Sequence, residues 1–201
     1  MLERRSALAA HPLLQPGKRV GLQPVGAAAV TLSERRPLAI LQVSAFAATV
    51  AEAGIHLAGA LELELPEPNR LCSDRRKSLR AIGPGIWQVV GDEGAVPATA
   101  ALRATLSGAA TVVDLSHART ALQLSGPAAA RTIAKHCGLD LHAACFPAGS
   151  ATNTRFGHVG MTLARLDDAP SFELLVFRGY AEFVFEALAE AAAEFGLLIV
   201  T

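Results

Sequence analysis

The stretch 114-DLSHARTALQLSGPAAARTIAKHCGLDLH-142 decides how the chain is read. Within it, "RTALQLSG" (119–126) has the alternation of a strand. The step Ser125-Gly126-Pro127 then opens a helix over "PAAARTIAKHC" (127–137), because proline suits the first helical position, where its missing N–H costs nothing. Gly138 closes that helix. The same residues also bring together two aspartates, two serines, three histidines and a cysteine, so they are either a reactive centre or scaffolding that carries reactive side chains.

Helical spacing answers for Cys137. Ala130, Ile133, Ala134 and Cys137 fall at i, i+3, i+4 and i+7 on one face, which sends the thiol into the core as a small hydrophobe. A nucleophilic cysteine needs an electropositive, partly open setting instead. His136, Cys137, His142 and Cys145 do not make a zinc set, because His136 and Cys137 lie about 100° apart on a helix and no second paired cluster exists. His136 falls in the last turn, where the helix dipole favours a histidine. Ser116 and His117 are strand neighbours pointing to opposite faces, so they cannot pair as nucleophile and base, and no G-x-S-x-G elbow occurs. They are expected to turn the chain, with Asp114 hydrogen-bonding locally. No residue is assigned a catalytic, cofactor-binding or metal-binding role.

Working outward, "PLAILQV" (37–43) reads as a buried strand, with Ser44 capping a helix "AFAATVAEA" (45–53) that Gly54 stops. A polar, proline-broken middle (62–80) ends in a basic cluster at Arg75, Arg76, Lys77 and Arg80. "GIWQVVG" (85–91) is a strand, "PATAALRATLSG" (97–108) a helix with Pro97 in its first turn, and "TVVDLS" (111–116) a strand. Gly83-Pro84-Gly85 precedes a strand rather than joining strand to helix, so it is not a phosphate loop; Trp87 beside it is a core or interface aromatic. After residue 142 follow the strands 151–156, 160–166 and 172–177, a helix over 180–195 and a last strand 197–200. The β-α, β-α-β order therefore occurs twice. It implies an α+β fold of two ferredoxin-like halves, about 37–117 and 118–201, with antiparallel sheets covered by helices on one face. Residues 1–36, with Pro12, Pro16 and Pro24, are expected to form an extended arm with little core of its own.

Composition narrows the partners. Hydrophobic residues make up 51% and charged residues 18% of 201, which argues for a globular chain. Eleven basic residues face seven acidic ones in 1–80, and seven face eleven in 81–201, so a net charge of +4 is balanced by −4. Neither half is basic enough, or interleaved with aromatics, for nucleic acid. The longest charge-free apolar stretch is too short for the roughly 20 residues of a membrane span. Three cysteines (Cys72, Cys137, Cys145) cannot pair completely and no signal peptide is evident, so a cytoplasmic location is expected. In the last helix, Ala181, Val184, Leu188, Ala191, Ala192 and Phe195 line an apolar face, while Glu182, Glu186, Glu190 and Glu194 make a like-charge stripe that a basic partner would relieve.

The motifs resemble a known family. "VVDLSH" followed by a strand and "LSGPAAARTIAKHCGLDLH" is similar to the aminomethyltransferase-like folate-binding fold. "ERRSALA", "LPEPNR", "IGPGIWQVVG", the 114–142 segment and "DDAPSFELLVFRGYAEFVFEAL", in that order, resemble the gamma subunits of heterotetrameric sarcosine oxidases over nearly the whole chain. The resemblance implies a structural subunit packed on a large alpha subunit through its N-terminal arm and one sheet or helix face, with beta and delta subunits in the same complex. It also implies that FAD, FMN, NAD and tetrahydrofolate belong to the other subunits. The complex would demethylate sarcosine to glycine with formation of hydrogen peroxide and methylenetetrahydrofolate. Where aminomethyltransferases carry G-G-x-x-D-D, residues 157–163 read "GHVGMTL", without the carboxylate. Asp167 and Asp168 fall later, in an expected hairpin turn, and the chain ends at Thr201 without the further domain that helps enclose folate. The fold also allows a free-standing folate-binding protein or folate-dependent transferase, and a hydrolase using Ser116 is a remote third reading.

Overall fold

The computed structural model describes residues 6–9, 11–12, 19–20, 28–36 and 38–200. The strands and helices are β1 (Arg19–Val20), β2 (Val30–Arg35), β3 (Leu38–Ala45), α1 (Val50–Leu61), β4 (Leu71–Ser73), β5 (Lys77–Gly83), β6 (Ile86–Asp92), α2 (Thr99–Thr105), β7 (Ala110–Asp114), β8 (Arg119–Ser125), α3 (Ala129–Ala134), β9 (Ala151–Phe156), β10 (Val159–Asp167), β11 (Ser171–Phe177), α4 (Ala181–Ala192) and β12 (Leu197–Val200). Single 3-10 turns at Arg178–Tyr180 and Ala193–Phe195 flank α4. The fold is α+β, and the chain divides into two compact units, 37–117 and 1–36 together with 118–201.

In unit 37–117 the sheet order is β4-β5-β6-β3-β7, antiparallel throughout. Omitting the short edge strand β4, this is the order of a ferredoxin-like βαββαβ unit. Register sets Leu41 and Leu79 beside Val89, and Val43 beside Trp87. These side chains pack with Ala53, Leu57 and Leu61 of α1 and with Leu102 and Leu106. The opposite face of the same strands carries Ser78, Arg80 and Gln88, which are also buried; Arg80 Nε donates to Ser78 Oγ at 3.2 Å.

In the other unit the order is β1-β12-β2-β8-β11-β10-β9. All its pairs are antiparallel except β2 with β12. β2 lies between β8 and β12, so the strand that follows α4 is displaced one place outward and runs parallel to its neighbour. The core joins Val30 and Leu32 of β2 to Leu122, Leu124, Leu174 and Val176 of the sheet, and to Ile133, Val184, Phe185 and Leu188 of the helices.

The expected arm at 1–36 is therefore corrected where it is described: residues 30–35 are an interior strand. The alternation Val30, Leu32, Glu34 supplies a core face, and Val30 and Leu32 are fully buried. Arg35 holds the buried carboxylate of Glu173 at 3.1 Å. Leu8 also enters this core, Ser6 Oγ donates to the Glu34 carboxylate, and the Ala7 N–H donates to Glu34 Oε1 at 3.3 Å. Of the three prolines behind that expectation, Pro16 and Pro24 lie outside the described residues.

Several boundaries also move. The first helix begins at Val50, not after Ser44, and passes through Gly54 to end at Glu62, whose φ is 54°. Gly54 does not stop the helix; it leaves room, because a Cβ there would meet Leu65 Cδ2 at 2.8 Å. The polar middle contains the hairpin β4–β5, and its expected basic cluster disperses. Arg80 points inward, Lys77 bonds Asp74 at 2.8 Å, and Arg75 and Arg76 stay exposed. Pro97 lies two residues before α2 rather than in its first turn. α3 stops at Ala134, so His136 lies beyond the helix end; Ala134 is exposed, and Ala129, Thr132, Ile133 and Cys137 form the inward face.

Candidate functional site

The reactive side chains of 114–142 end in three places. At the end of β7, Asp114 Oδ1 accepts the Ser116 N–H at 2.9 Å, closing a local turn. Ser116 is 9% exposed, and its Oγ accepts the N–H of Ile40 at 3.0 Å, tying the chain end to β3. His117 is exposed. The serine and the imidazole next to it thus serve different surroundings, and Ser116 is occupied in satisfying a buried backbone donor.

His136 and Cys137 belong to the other unit. The His136 ring lies on Phe156 with centroids 4.6 Å apart, and its carbonyl accepts the Gly157 N–H at 2.7 Å. Cys137 is 4% exposed, with Sγ 3.8 Å from Thr154 Oγ1. A shallow hollow of about 420 Å³ opens here beside His136, Thr154 and Arg155; no carboxylate lines it.

The third place is the turn at 140–146. Asp140 Oδ1 accepts the His142 N–H at 2.9 Å, and the His142 carbonyl accepts the N–H groups of Cys145 and Phe146. The exposed Cys145 thiol bonds Asp140, and this bond, together with the carboxylate charge, pushes the thiol up from its usual range. The same turn holds Asp140 below the usual carboxylate range, chiefly through the His142 N–H. A thiol pushed up is a poorer nucleophile at neutral pH. The turn orders a loop and does not activate sulfur.

Sequence reasoning missed one grouping. Among the described residues, His11, Glu182 and Glu186 bring potential metal-ligand atoms within 4.8 Å of one another. His11 Nε2 is 3.2 Å from Glu186 Oε1, and the ring packs edge-on to Phe185 with centroids 5.0 Å apart. The geometry relieves part of the glutamate stripe and fixes the N-terminal segment on α4; Lys135 relieves another part at Glu194, at 2.5 Å. The i, i+4 glutamates were the only local signal, since His11 arrives from 175 residues away.

In the unit 37–117 an open hollow of about 730 Å³ is lined by Ala45, Val50, Leu65, Pro66, Pro68 and Trp87, among others. Gly85, at φ 64°, closes the β5–β6 hairpin on its edge. Its lining includes no titratable side chain, so it can seat an apolar body but cannot move a proton. On β10, where the resemblance places a reacting carboxylate, Thr162 Oγ1 donates to Asn153 Oδ1 at 2.8 Å, while Met161 and Leu163 enter the core. Asp167 comes only at the strand's end, pushed up chiefly by burial. The residues on this strand do not fit the folate chemistry of an aminomethyltransferase.

Comparison with known proteins agrees with this architecture. The chain is 32% identical over 114 residues to a sarcosine oxidase subunit gamma of Corynebacterium sp. (strain P-1), covering 57% of this chain and 56% of that one. It is 36% identical over 100 residues to the subunit gamma of Corynebacterium sp. (strain U-96), covering 47% and 48%. The chain thus spans about half the length of the named relatives it matches. It is also similar to a chain in the structure of heterotetrameric sarcosine oxidase from Corynebacterium sp. U-96 in complex with pyrrole 2-carboxylate, with a TM-score of 0.81, 28% identity and 95% of each chain covered. Aminomethyltransferase T of the glycine cleavage system from Bartonella henselae shares the fold, with a TM-score of 0.63 and 18% identity over 86% of this chain and 48% of that one. The family model for the sarcosine oxidase gamma subunit matches residues 43–194, and the chain belongs to that family.

Proposed function

We infer that the chain is a structural, non-catalytic subunit of a heterotetrameric sarcosine oxidase, packed on the alpha subunit of a complex that also holds beta and delta. In this reading the complex demethylates sarcosine to glycine. FAD, FMN, NAD and tetrahydrofolate sit in the other subunits, and the assembly works in the bacterial cytoplasm. The observation that carries the reading is the 95% mutual coverage, at a TM-score of 0.81, with a chain of such a complex. It is supported by the placement of Asp114, Ser116 and Asp140, each accepting a backbone N–H. The free thiols of Cys72, Cys137 and Cys145 suit a reducing compartment. No helix of the described residues is long and apolar enough to cross a membrane.

The test is co-expression with the neighbouring subunit genes. The chain is expected to co-purify in a yellow complex that oxidises sarcosine. Purified alone, it is expected neither to oxidise sarcosine nor to bind tetrahydrofolate in calorimetry. Micromolar folate binding by the isolated chain would overturn the reading in favour of a free-standing folate protein.

A further inference from the structure

This chain is poor in aromatics, with Phe 8, Trp 1 and Tyr 1. Three of those ten fall within seven residues and stay exposed: Phe177 at 46%, Tyr180 at 53% and Phe183 at 54%. Phe177 ends β11, Tyr180 ends the 3-10 turn that follows, and Phe183 lies in the first turn of α4, where a residue three after Tyr180 falls on the same side. The core-facing positions of the same segment are taken by Ala181, Val184 and Phe185, so the three rings line the outer side. Large exposed apolar clusters on a soluble chain mark surfaces that something else covers.

Arg119 indicates what covers this one. Strand register sets it opposite Phe177, and its guanidinium carbon lies 3.7 Å from the centre of that ring. Its Nε is buried with no hydrogen-bond partner among the described residues. Burial alone pulls the guanidinium below its ordinary range, and no neighbouring carboxylate offsets it. A half-buried cation on an aromatic ring, with no anion among the described residues, is an incomplete arrangement. A carboxylate brought in by another molecule would complete it.

We propose that Phe177, Tyr180 and Phe183, with Arg119 at their edge, form the docking surface for another subunit, which presents a carboxylate flanked by apolar side chains. Two arginines, Arg119 and Arg178, beside three rings are far from the basic stripe that nucleic acid requires. Exposed aromatics beside an arginine are the composition found at the centre of protein interfaces. This inference rests on the subunit reading above and locates its contact.

The test uses the full chain and the assembled complex. The affinity of the chain for the remaining subunits is measured by displacement of a tagged copy, for wild type, Tyr180→Ala/Phe183→Ala, Arg119→Ala and Arg119→Lys. Because Tyr180 and Phe183 are more than half exposed, the double variant should keep the wild-type melting temperature, measured on the isolated chain. It should bind at least about tenfold more weakly. Arg119→Ala should also weaken binding and flatten its salt dependence, and Arg119→Lys should recover only part, because lysine cannot repeat the planar fork. Wild-type assembly together with undiminished binding by the double variant overturns the docking surface and leaves the subunit reading standing. Concentration-dependent dimers of the isolated chain, abolished by the double variant, also overturn it, in favour of self-association. A folded wild-type chain that does not join the subunits overturns the subunit reading and the docking surface with it.

Discussion

Replacing Gly126 by alanine tests how the N-terminal strand is held. Gly126 sits between β8 and α3 at φ 112°, and a Cβ built there would stand 2.4 Å from the carbonyl oxygen of Ala29. That same oxygen accepts the Ala128 N–H at 3.1 Å, while the Gly126 N–H donates to Pro170 at 3.0 Å. The turn is therefore clamped from both sides, and Ala29 would have to move by close to an ångström, which breaks its bond to Ala128. The unfavourable backbone conformation costs about 1–2 kcal/mol, and the orphaned N–H about 1–3 kcal/mol. Alanine returns about 0.4–1 kcal/mol by restricting the unfolded chain, leaving a net loss of about 1–5 kcal/mol. With a urea slope of about 2 kcal/mol/M, the midpoint should fall by about 0.5–2.5 M. Gly108→Ala is the control, since it has φ 80° and nothing within 4 Å of the added carbon, so it should show the backbone cost alone. A Gly126→Ala midpoint equal to that of Gly108→Ala would refute the clamp.

Ser116→Ala should destabilise the chain by about 1–3 kcal/mol in urea, because the Ile40 N–H loses its acceptor; sarcosine turnover per assembled complex should not change, and a loss of turnover without loss of stability would restore a chemical role. Asp140→Asn removes the carboxylate whose hydrogen bond, and then whose charge, holds the Cys145 thiol up, so iodoacetamide should alkylate Cys145 faster near pH 8, and slower alkylation would count against this account. Asp74 accepts N–H bonds from Arg76 and Lys77 and bonds the Lys77 ammonium, the largest cause of its pKa falling to about 2. Because the folded value lies below the ordinary 3.8, the turn's stabilisation is complete above that pH and disappears as pH falls through about 2. Carbon NMR titration should place the Asp74 midpoint there, and Lys77→Ala should raise it; an Asp74 midpoint indifferent to Lys77 would refute the assignment.

Strands marked by local alternation or by short apolar runs were legible, which is why β3, β6 and β8 to β12 are found close to their sequence limits. β5 escaped because both its faces are buried: Leu79 and Ala81 on one side, Ser78 and Arg80 on the other. Its polar/apolar alternation covers only Ser78 to Ala81, and an inward arginine reads as a surface charge. β2 escaped for a different reason. Its partners are β8 and β12, about 90 and 170 residues away in register, and a local window contains no sign of them. The start of α1 was misplaced because Ser44 and Gly54 carry ordinary capping chemistry. Tertiary packing overrode it: Ser44 stays in β3, and Gly54 is the gap that admits Leu65.

In the site, Cys137 is buried and Ser116 is separated from His117, but not by the geometry the sequence suggested: α3 stops at Ala134, three residues before Cys137, and Ser116 and His117 lie in a turn after β7. The contacts of His11 with Glu186 and of Arg119 with Phe177 depend on tertiary pairing, and the composition of 114–142 drew attention away from them. The distribution of polar atoms then bears on function. A carboxylate that accepts a backbone N–H, as Asp114 and Asp140 do, is held in a turn, and its other partners, Thr99 and Cys145, are local as well. A base or a nucleophile needs its lone pairs directed at a cavity. The 730 Å³ hollow has no titratable lining, and the 420 Å³ hollow beside His136 has no carboxylate. Among the described residues, Phe177, Tyr180 and Phe183 stay exposed beside the Arg119 guanidinium, which is the chemistry of an interface rather than of proton transfer.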